Sequence, residues 1–218
     1  MMPGQPGGDP VRANPYAPPT SSLAAAPPAS TSVDGLDYAG FAVRAGAQVI
    51  DWIVGMVLGM VAGMVGGVAI GVLAAMGSFG PDWARKLGAM TPLSFLLGIV
   101  GATLYHALCE GLGGATVGKL ITGLRVRADD GSPARIGAGL LRSIAFLVDG
   151  LFFGLVAYGS MSKSRMQQRL GDKWAHTVVV RAASLPPTAQ RPNLALGIVL
   201  GCVAQMTITV LDTFLKVL

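Results

Sequence analysis

Long apolar runs without a charged residue dominate the pattern of this chain. Three such runs, 52–81, 87–109 and 192–211, contain no Asp, Glu, Lys or Arg. A bilayer core of about 30 Å requires about 20 apolar helical residues, because a helix rises about 1.5 Å per residue. Each run is therefore long enough to cross a membrane. We predict transmembrane helices at 38–78, 92–110 and 193–216.

A fourth apolar segment, 136–162, is interrupted by Arg142 and by Asp149-Gly150. The loops on both sides of it are basic: Lys119, Arg125, Arg127 and Arg135 before it, and Lys163, Arg165, Arg169, Lys173 and Arg181 after it. Basic loops favour the cytoplasmic side, and a full crossing would place one of these loops outside. We therefore favour a re-entrant or interfacial helical hairpin, with a fourth crossing as the alternative. In both cases the N-terminus is predicted to be cytoplasmic.

Two short segments in these basic loops have the composition of β-strands. Residues 124–128 lead into the turn sequence Asp129-Asp130-Gly131, and residues 177–181 read Thr-Val-Val-Val-Arg. A hairpin at 136–162 would allow the two segments to pair on the cytoplasmic side. The predicted fold is an all-α membrane protein with three to four transmembrane helices, this hairpin and a small cytoplasmic β-like pairing.

The composition supports a membrane protein over a soluble one. Hydrophobic residues make up 52% of the chain and charged residues 12%, whereas a soluble domain carries about 25% charged residues. The net charge of +5 comes from basic residues beside apolar runs, which indicates membrane orientation and no nucleic-acid partner. Both cysteines, Cys109 and Cys202, lie inside apolar runs, which argues against a disulfide or a zinc site.

The N-terminal segment 1–33 differs from the rest of the chain. It contains eight prolines and two charged residues, Asp9 and Arg12, and has no periodic apolar face. Such a segment cannot bury enough apolar surface to offset the entropy of folding. We predict a disordered, Pro/Ala/Gly-rich cytoplasmic tail. It is either a plain linker or a docking site for a partner that recognises proline-rich sequences.

Glycines recur at every fourth position of the first predicted helix. This glycine ridge consists of Gly55, Gly59, Gly63, Gly67 and Gly71. Small residues along one ridge allow another membrane helix to approach closely. We predict that the ridge is a helix-packing surface and that the protein forms a homo-oligomer. The neighbouring Met56, Met60 and Met64 are interpreted as packing residues rather than metal ligands.

The first helix also contains two ionisable residues, Arg44 and Asp51, seven positions apart. They share one helix face, but helical side chains lean toward the N-terminus, so Arg44 leans away from Asp51. We therefore expect no direct pair between them. An unpaired carboxylate inside a membrane is expensive, so Asp51 is either functional or part of a buried pair that fixes the helix register.

His106 and Glu110 lie one turn apart at the predicted end of the second helix. A proton relay is one interpretation, and a helix-end pair at the lipid headgroups is the one we favour. The following segment, 113–119, resembles a phosphate-binding loop. Leu120 stands where that motif requires Ser or Thr for magnesium, and no buried strand precedes it, so we reject nucleotide hydrolysis.

Arg142 and Asp149 repeat the seven-residue spacing of Arg44 and Asp51. An internal repeat would explain this recurrence, but two short matches carry little weight, and coincidence is the simpler interpretation. No Ser-His-Asp arrangement and no cluster of metal ligands is visible in the sequence. We therefore predict no enzyme, no catalytic residue, no metal and no cofactor.

Several sequence blocks together carry a resemblance to a known family. These blocks are Gly40-Phe-Ala-Val-Arg44, Val49-Ile-Asp51, Glu110-Gly-Leu-Gly-Gly-Ala-Thr-Val-Gly-Lys119, Leu141-Arg142 and Arg169-Leu-Gly-Asp172. Over residues 38–182 the chain resembles the RDD family of small bacterial integral membrane proteins, named for one arginine and two aspartates. The tail and the helix at 193–217 lie outside the resemblance. It places the named triad on Arg44, Asp51 and Asp172.

The resemblance implies a multi-pass protein of the bacterial cytoplasmic (inner) membrane, and cation/proton exchange has been suggested for some members. The first hypothesis is therefore a secondary transporter that exchanges a monovalent cation for protons. Asp51 would bind the ion or proton, and Arg44 would pair with Asp172 as a cytoplasmic gate. The alternative is a non-transporting oligomeric scaffold that recruits a partner through its Pro-rich tail. Under both hypotheses the lipid bilayer surrounds the protein.

Overall fold

A computed structural model describes residues 35–149, 151–186, 189 and 193–218. Most of these residues are helical. The predicted tail at 1–33 lies outside the described residues. The helices are α1 (Phe41–Ala75), α2 (Trp83–Leu87), α3 (Pro92–Leu108), α4 (Val117–Ile121), α5 (Ile136–Asp149), α6 (Leu151–Ser162), α7 (Leu170–Trp174) and α8 (Leu194–Leu215).

Among the described residues, three helices are long and apolar enough to cross a membrane, as predicted. They are α1, α3 together with the π-helical turn Cys109–Gly113 that continues it, and α8. Helix α3 begins where the sequence favours a helix start, because Pro92 is its first residue and the Thr91 hydroxyl accepts a hydrogen bond from Ser94 N at 3.0 Å. Helix α1 has 35 residues and is therefore about 52 Å long, well beyond the thickness of a bilayer core.

The segment between the two strands forms the predicted pair of helices, α5 and α6. The axes of Ile136–Asp149 and Gly154–Ser162 differ by 109°. Strand β1 (Leu124–Ala128) precedes the pair and strand β2 (Thr177–Arg181) follows it. Because β1 and β2 are hydrogen-bonded to each other, the segment leaves the sheet and returns to it. This path fits a re-entrant hairpin better than a fourth crossing.

The two strands form an antiparallel pair, which confirms the predicted β-like pairing. Val126 lies opposite Val179 at the centre of the register. Both side chains are buried. They belong to one core cluster with Leu124 of β1 and with Ala39 and Ala47 near the start of α1. The backbone N–H of Ala39 extends the pairing by donating to Val179 O at 2.9 Å. The sheet therefore joins the beginning of α1 to the segments around α4 and α7.

Contact between the long helices occurs at glycines other than those of the glycine ridge. A Cβ atom added at Gly66 would lie 3.1 Å from Thr213 Cγ2, and one added at Gly201 would lie 3.0 Å from Tyr105 O. At four ridge positions, Gly55, Gly59, Gly63 and Gly71, an added Cβ would meet no described atom within 4 Å. At Gly67 it would lie 4.0 Å from Leu87 Cδ2.

The prediction that the glycine ridge packs against another helix is therefore wrong for the described part of this chain. A helix turns once per 3.6 residues, so a ridge with four-residue spacing drifts around the helix. Helix α8 crosses α1 at Gly66, on a different face, and leaves the ridge on the outer surface of the bundle. Packing of the ridge against a second copy stays a prediction.

Candidate functional site

The ionisable residues singled out in the sequence meet where the short helices α4 and α7 pack against the long ones. Six of the charged residues in this region are buried, and the side chain of a seventh, Arg44, is 8% exposed. The six are Asp51, Glu110, Lys119, Arg142, Asp149 and Asp172. Buried charges of this number require mutual pairing.

Asp172 is the centre of this charge network and is fully buried. It forms an ion pair with Arg44, as predicted, and a second one with Arg142 Nη1 at 2.8 Å. Arg169 Nε lies 3.5 Å from the same carboxylate. Burial opposes ionisation of Asp172, but the charges of Arg142, Arg44 and Arg169 outweigh it and hold the pKa of this carboxyl well below its ordinary value.

Glu110 joins the network from the π-helical turn at the end of α3. Lys119 Nζ lies 2.7 Å from one carboxylate oxygen, and Arg142 Nε lies 3.0 Å from the other. His106 Nδ1 is 3.8 Å away. This contact is the predicted pair of His106 and Glu110, but its predicted place at the headgroups is wrong, because Glu110 is only 2% exposed. Glu110 is thus a buried residue of the π-helical turn Cys109–Gly113.

Asp51 is held by hydrogen bonds alone. Its carboxylate accepts from the Thr116 hydroxyl at 2.6 Å, the Tyr105 hydroxyl at 3.0 Å and Gly118 N at 2.8 Å. No cationic nitrogen of the described residues lies within ion-pair distance of it, and the expected lack of an Arg44–Asp51 pair is confirmed. Its side chain is buried at 3% exposure, so Asp51 is a carboxylate inside a spanning helix with neutral partners.

The block 113–119, which resembles a phosphate-binding loop, binds protein groups instead. Thr116 is the N-cap of α4, and Gly118 lets this helix lie directly on α1. A side chain at Gly118 would collide with the Ala47 carbonyl. Lys119 completes the pair with Glu110. The threonine, glycine and lysine of this block thus fix α4 against Asp51 and Glu110.

Two cavities adjoin the charge network. The first has a volume of about 650 Å³ and lies between α1, α3 and α5. The second, of about 360 Å³, lies between α1, α5 and α6 and is lined by Arg44 and Asp149. Polar and charged residues of the first cavity are Gln48, Asp51, Thr103, Tyr105, His106, Glu110, Ser143, Arg169 and Gln205. The first cavity thus gives a polar route to the neutral-partnered carboxylate of Asp51.

Sequence reasoning missed several residues of this site. Tyr105 gave no signal, because one tyrosine in an apolar run is unremarkable. Arg142 and Asp149 gave one, the repeated spacing that we attributed to coincidence. Arg169 was seen as a basic loop residue and as part of a family block, and neither indicated a contact with Asp149, although its guanidinium lies over the Phe146 ring and 3.6 Å from Asp149. The described residues contain no group of three or more His, Cys, Asp or Glu suited to a metal ion.

Comparison with known proteins agrees with this architecture. Neither a search of curated proteins nor a search of solved structures finds a match. A family model described as the RDD family matches residues 38–176, which is more than half of the chain. The matched range contains α1, the charge network, the aspartates of both cavities and all of α7, and it ends just before β2. The chain, an integral membrane protein by its apolar helices, belongs to the RDD family.

Proposed function

We propose that this protein is a secondary transporter that exchanges a monovalent cation for protons across a bacterial cytoplasmic membrane. The observation that carries the proposal is the environment of Asp51. It is a buried carboxylate on a membrane-spanning helix, it has no cationic partner among the described residues, and it lines the larger cavity. Ionisable groups in this setting mark ion and proton pathways, because an unpaired charge there is expensive.

The surroundings of Asp51 suit alternate occupation by a cation and a proton. A single carboxylate carries one negative charge, which one monovalent cation or one proton neutralises. The Thr116 and Tyr105 hydroxyls that donate to it can rotate and present their oxygens as acceptors when a cation arrives. The rest of the network would act as the gate, with Arg44 and Asp172 at its centre on the side where the N-terminus lies.

The test is ion and proton flux in liposomes that contain the purified protein. A Na⁺ or K⁺ gradient should drive counterflow of protons, read with a pH-sensitive dye inside the vesicles. Asp51→Asn should abolish the flux while the protein keeps the elution volume and melting temperature of the wild type. Asp82→Asn is the matched control, because Asp82 is exposed and, among the described residues, its ion pair is with the exposed Arg85. Lack of flux in the wild type, or full flux in Asp51→Asn, would contradict the proposal.

A second candidate function is a non-transporting membrane scaffold, and one observation favours it. The glycine ridge of α1 lies on the outer surface of the bundle, where it is free to bind a second copy. Large apolar side chains beside it, such as Met60 and Met64, are about two-thirds exposed at 65% and 66%. A scaffold would show oligomers through this surface, a partner at the Pro-rich tail and no flux.

A further inference from the structure

The membrane domain contains one structural unit twice. In the first half α1 carries Arg44 and Asp51, and in the second half α5 carries Arg142 and Asp149 at the same spacing. Each aspartate then accepts a hydrogen bond from the second residue of a short five-residue helix. The distance is 2.8 Å from Gly118 N in α4 to Asp51, and 3.1 Å from Gly171 N in α7 to Asp149.

The two short helices also have the same backbone, at an offset of 53 residues. Gln167 and His176 are the only non-glycine residues with positive φ among those described, both at φ 50. The equivalent positions of the first half are Gly114 and Gly123, at φ 73 and 68. L-residues rarely adopt this left-handed conformation. Coincidence, our interpretation from the sequence, therefore does not explain the repeat.

The strands that follow the short helices place the two halves around a local twofold axis. At the same offset of 53 residues, Val126 is equivalent to Val179, and these two residues lie directly opposite each other in the antiparallel pair. The flanking pairs exchange at the same offset: Leu124 pairs with Arg181, and their equivalents, Thr177 and Ala128, pair with each other. A register that is unchanged when the two strands are exchanged is the register of a twofold-symmetric pair.

The two cavities are related by the same symmetry. The first is lined by its own aspartate, Asp51, and by Ser143 and Leu147 from the other half. The second is lined by Asp149 and by Ala45 and Val49. These two are equivalent to Ser143 and Leu147 at the offset of 98 residues that relates Asp51 to Asp149. Gln48 and its equivalent, Phe146, line both cavities. Each half thus has a buried aspartate beside a cavity with equivalent residues of α1 and α5 in its lining, and Arg169 reaches the lining of both cavities.

The halves differ at the residue that precedes the short helix. This N-cap has almost the same backbone in both, with φ −79 and ψ 173 at Thr116 and φ −76 and ψ 172 at Arg169. In the second half the Arg169 guanidinium lies 3.6 Å from the Asp149 carboxylate. In the first half the neutral Thr116 hydroxyl lies 2.6 Å from the Asp51 carboxylate. Among the described residues, a cationic group therefore lies within ion-pair distance of Asp149, and none lies within that distance of Asp51.

We propose that the two halves carry duplicate cation positions at their buried aspartates. Arg169 fills the position at Asp149 with its own guanidinium, and the position at Asp51, where Thr116 is neutral, takes a monovalent cation from solution. Thr116 and Arg169 are thus the residues that decide which half is open to an ion. This inference rests on the proposed cation exchange, and it assigns the exchange to one of two equivalent sites.

The experiment is equilibrium binding of radioactive Na⁺ to the purified full-length protein in detergent, with choline chloride keeping the ionic strength constant. K⁺ is measured in the same way. The wild type should bind one ion per chain, and Asp51→Asn should bind none. Thr116→Arg should also bind none, because its guanidinium takes the ion's place. Arg169→Thr should bind two, because the position at Asp149 becomes vacant.

Matched variants separate this outcome from general damage. Arg165→Thr removes an exposed arginine from the same loop and should keep one ion. Asp149→Asn with Arg169→Thr should return from two ions to one. Each variant must elute and melt as a folded protein. If either Thr116→Arg or Arg169→Thr does not fold, the ion stoichiometry of the other variant tests the inference. Wild-type stoichiometry in either folded variant, or no saturable binding by the wild type, overturns the inference.

The outcome is distinguishable from failure of the proposed function. Flux in liposomes that persists in Thr116→Arg would keep cation exchange and reject the assignment to the Asp51 position. The reverse case is also distinguishable. If the wild type binds one ion, Thr116→Arg none and Arg169→Thr two, but no flux occurs in liposomes, the duplicate sites are kept and transport is rejected.

Discussion

At the scale of single residues, the stability of the site depends on how its charges are paired. Arg44, Arg142 and Arg169 all lie within 3.5 Å of the Asp172 carboxylate. Removing one partner of a buried pair leaves the other without compensation, which costs about 3–5 kcal/mol. Because Asp172 has several cationic partners and Arg44 has one carboxylate, the loss of Asp172 is the more damaging of the two.

We predict that Arg44→Ala and Asp172→Ala each destabilise the protein by a few kcal/mol, with Asp172→Ala the worse. The double variant should be little worse than Asp172→Ala alone, because the Arg44 side chain has then lost its partner already. Thermal or denaturant unfolding in detergent measures the three values. If the two single losses of unfolding free energy add up to the loss in the double variant, the two residues act separately. The proposed gate of Arg44 and Asp172 would then be rejected.

The depressed pKa of Asp172 predicts a stability change on the acid side. An unfolded aspartate has a pKa of about 3.9, and the buried one titrates lower because Arg142, Arg44 and Arg169 outweigh the effect of burial. The ionised group therefore stabilises the fold above pH ~4, and this contribution is lost as pH falls through the folded-state pKa. The melting temperature should fall in that window for the wild type and less for Asp172→Asn, with Asp82→Asn as control. Equal acid sensitivity of the wild type, Asp172→Asn and Asp82→Asn would mean that Asp172 is not the group responsible.

At the scale of elements, glycines serve two purposes in this fold. Gly118 and Gly171 allow short helices to lie on α1 and α5, where a Cβ would approach the Asp51 Cγ to 2.9 Å and the Ala145 Cβ to 2.9 Å. Gly66 and Gly201 allow α8 to approach α1 and α3. The regular glycine ridge serves neither purpose, which leaves it available for contact between copies.

We predict that Gly63→Leu leaves the folded monomer intact but weakens association in detergent and in bilayers. An added side chain at Gly63 meets no described atom of the same chain within 4 Å, yet it would block the close approach of a second α1. Cross-linking and light scattering measure the oligomer. Val65→Leu is the control, because Val65 is an outward-facing residue of the same helix, 58% exposed. An unchanged oligomer would mean that the ridge faces lipid.

At the scale of the whole molecule, the sheet joins the two halves and sets the topology. Because β1 and β2 pair directly, we expect residues 112–135 and 163–186 to lie on one side of the membrane. With three crossings, the two termini lie on opposite sides. The predicted cytoplasmic N-terminus then places the sheet and both short helices in the cytoplasmic half of the protein.

We predict that single cysteines at Ser132 and Ser184 both resist impermeant thiol reagents in intact cells, in a background without Cys109 and Cys202. Both serines lie close to the strand pair, Ser132 in the turn after β1 and Ser184 just after β2. Labelling after membrane permeabilisation confirms that each cysteine is reactive. Labelling of Ser184→Cys alone in intact cells would establish a fourth crossing.

The sequence by itself determined the features that depend on local properties. The three spanning helices follow from charge-free runs, because each helix satisfies its own backbone hydrogen bonds and the bilayer favours every long apolar run. The strands follow from the composition of 124–128 and 177–181 and from the turn sequence after the first of them. The Arg44–Asp172 contact is not local, and the family resemblance supplied its two residues. The tertiary structure decided the rest, because the partners come from distant parts of the chain. Asp51 is bound by groups 54 to 67 positions away, and only the duplicated fold shows that Thr116 and Arg169 occupy equivalent places beside the two buried aspartates.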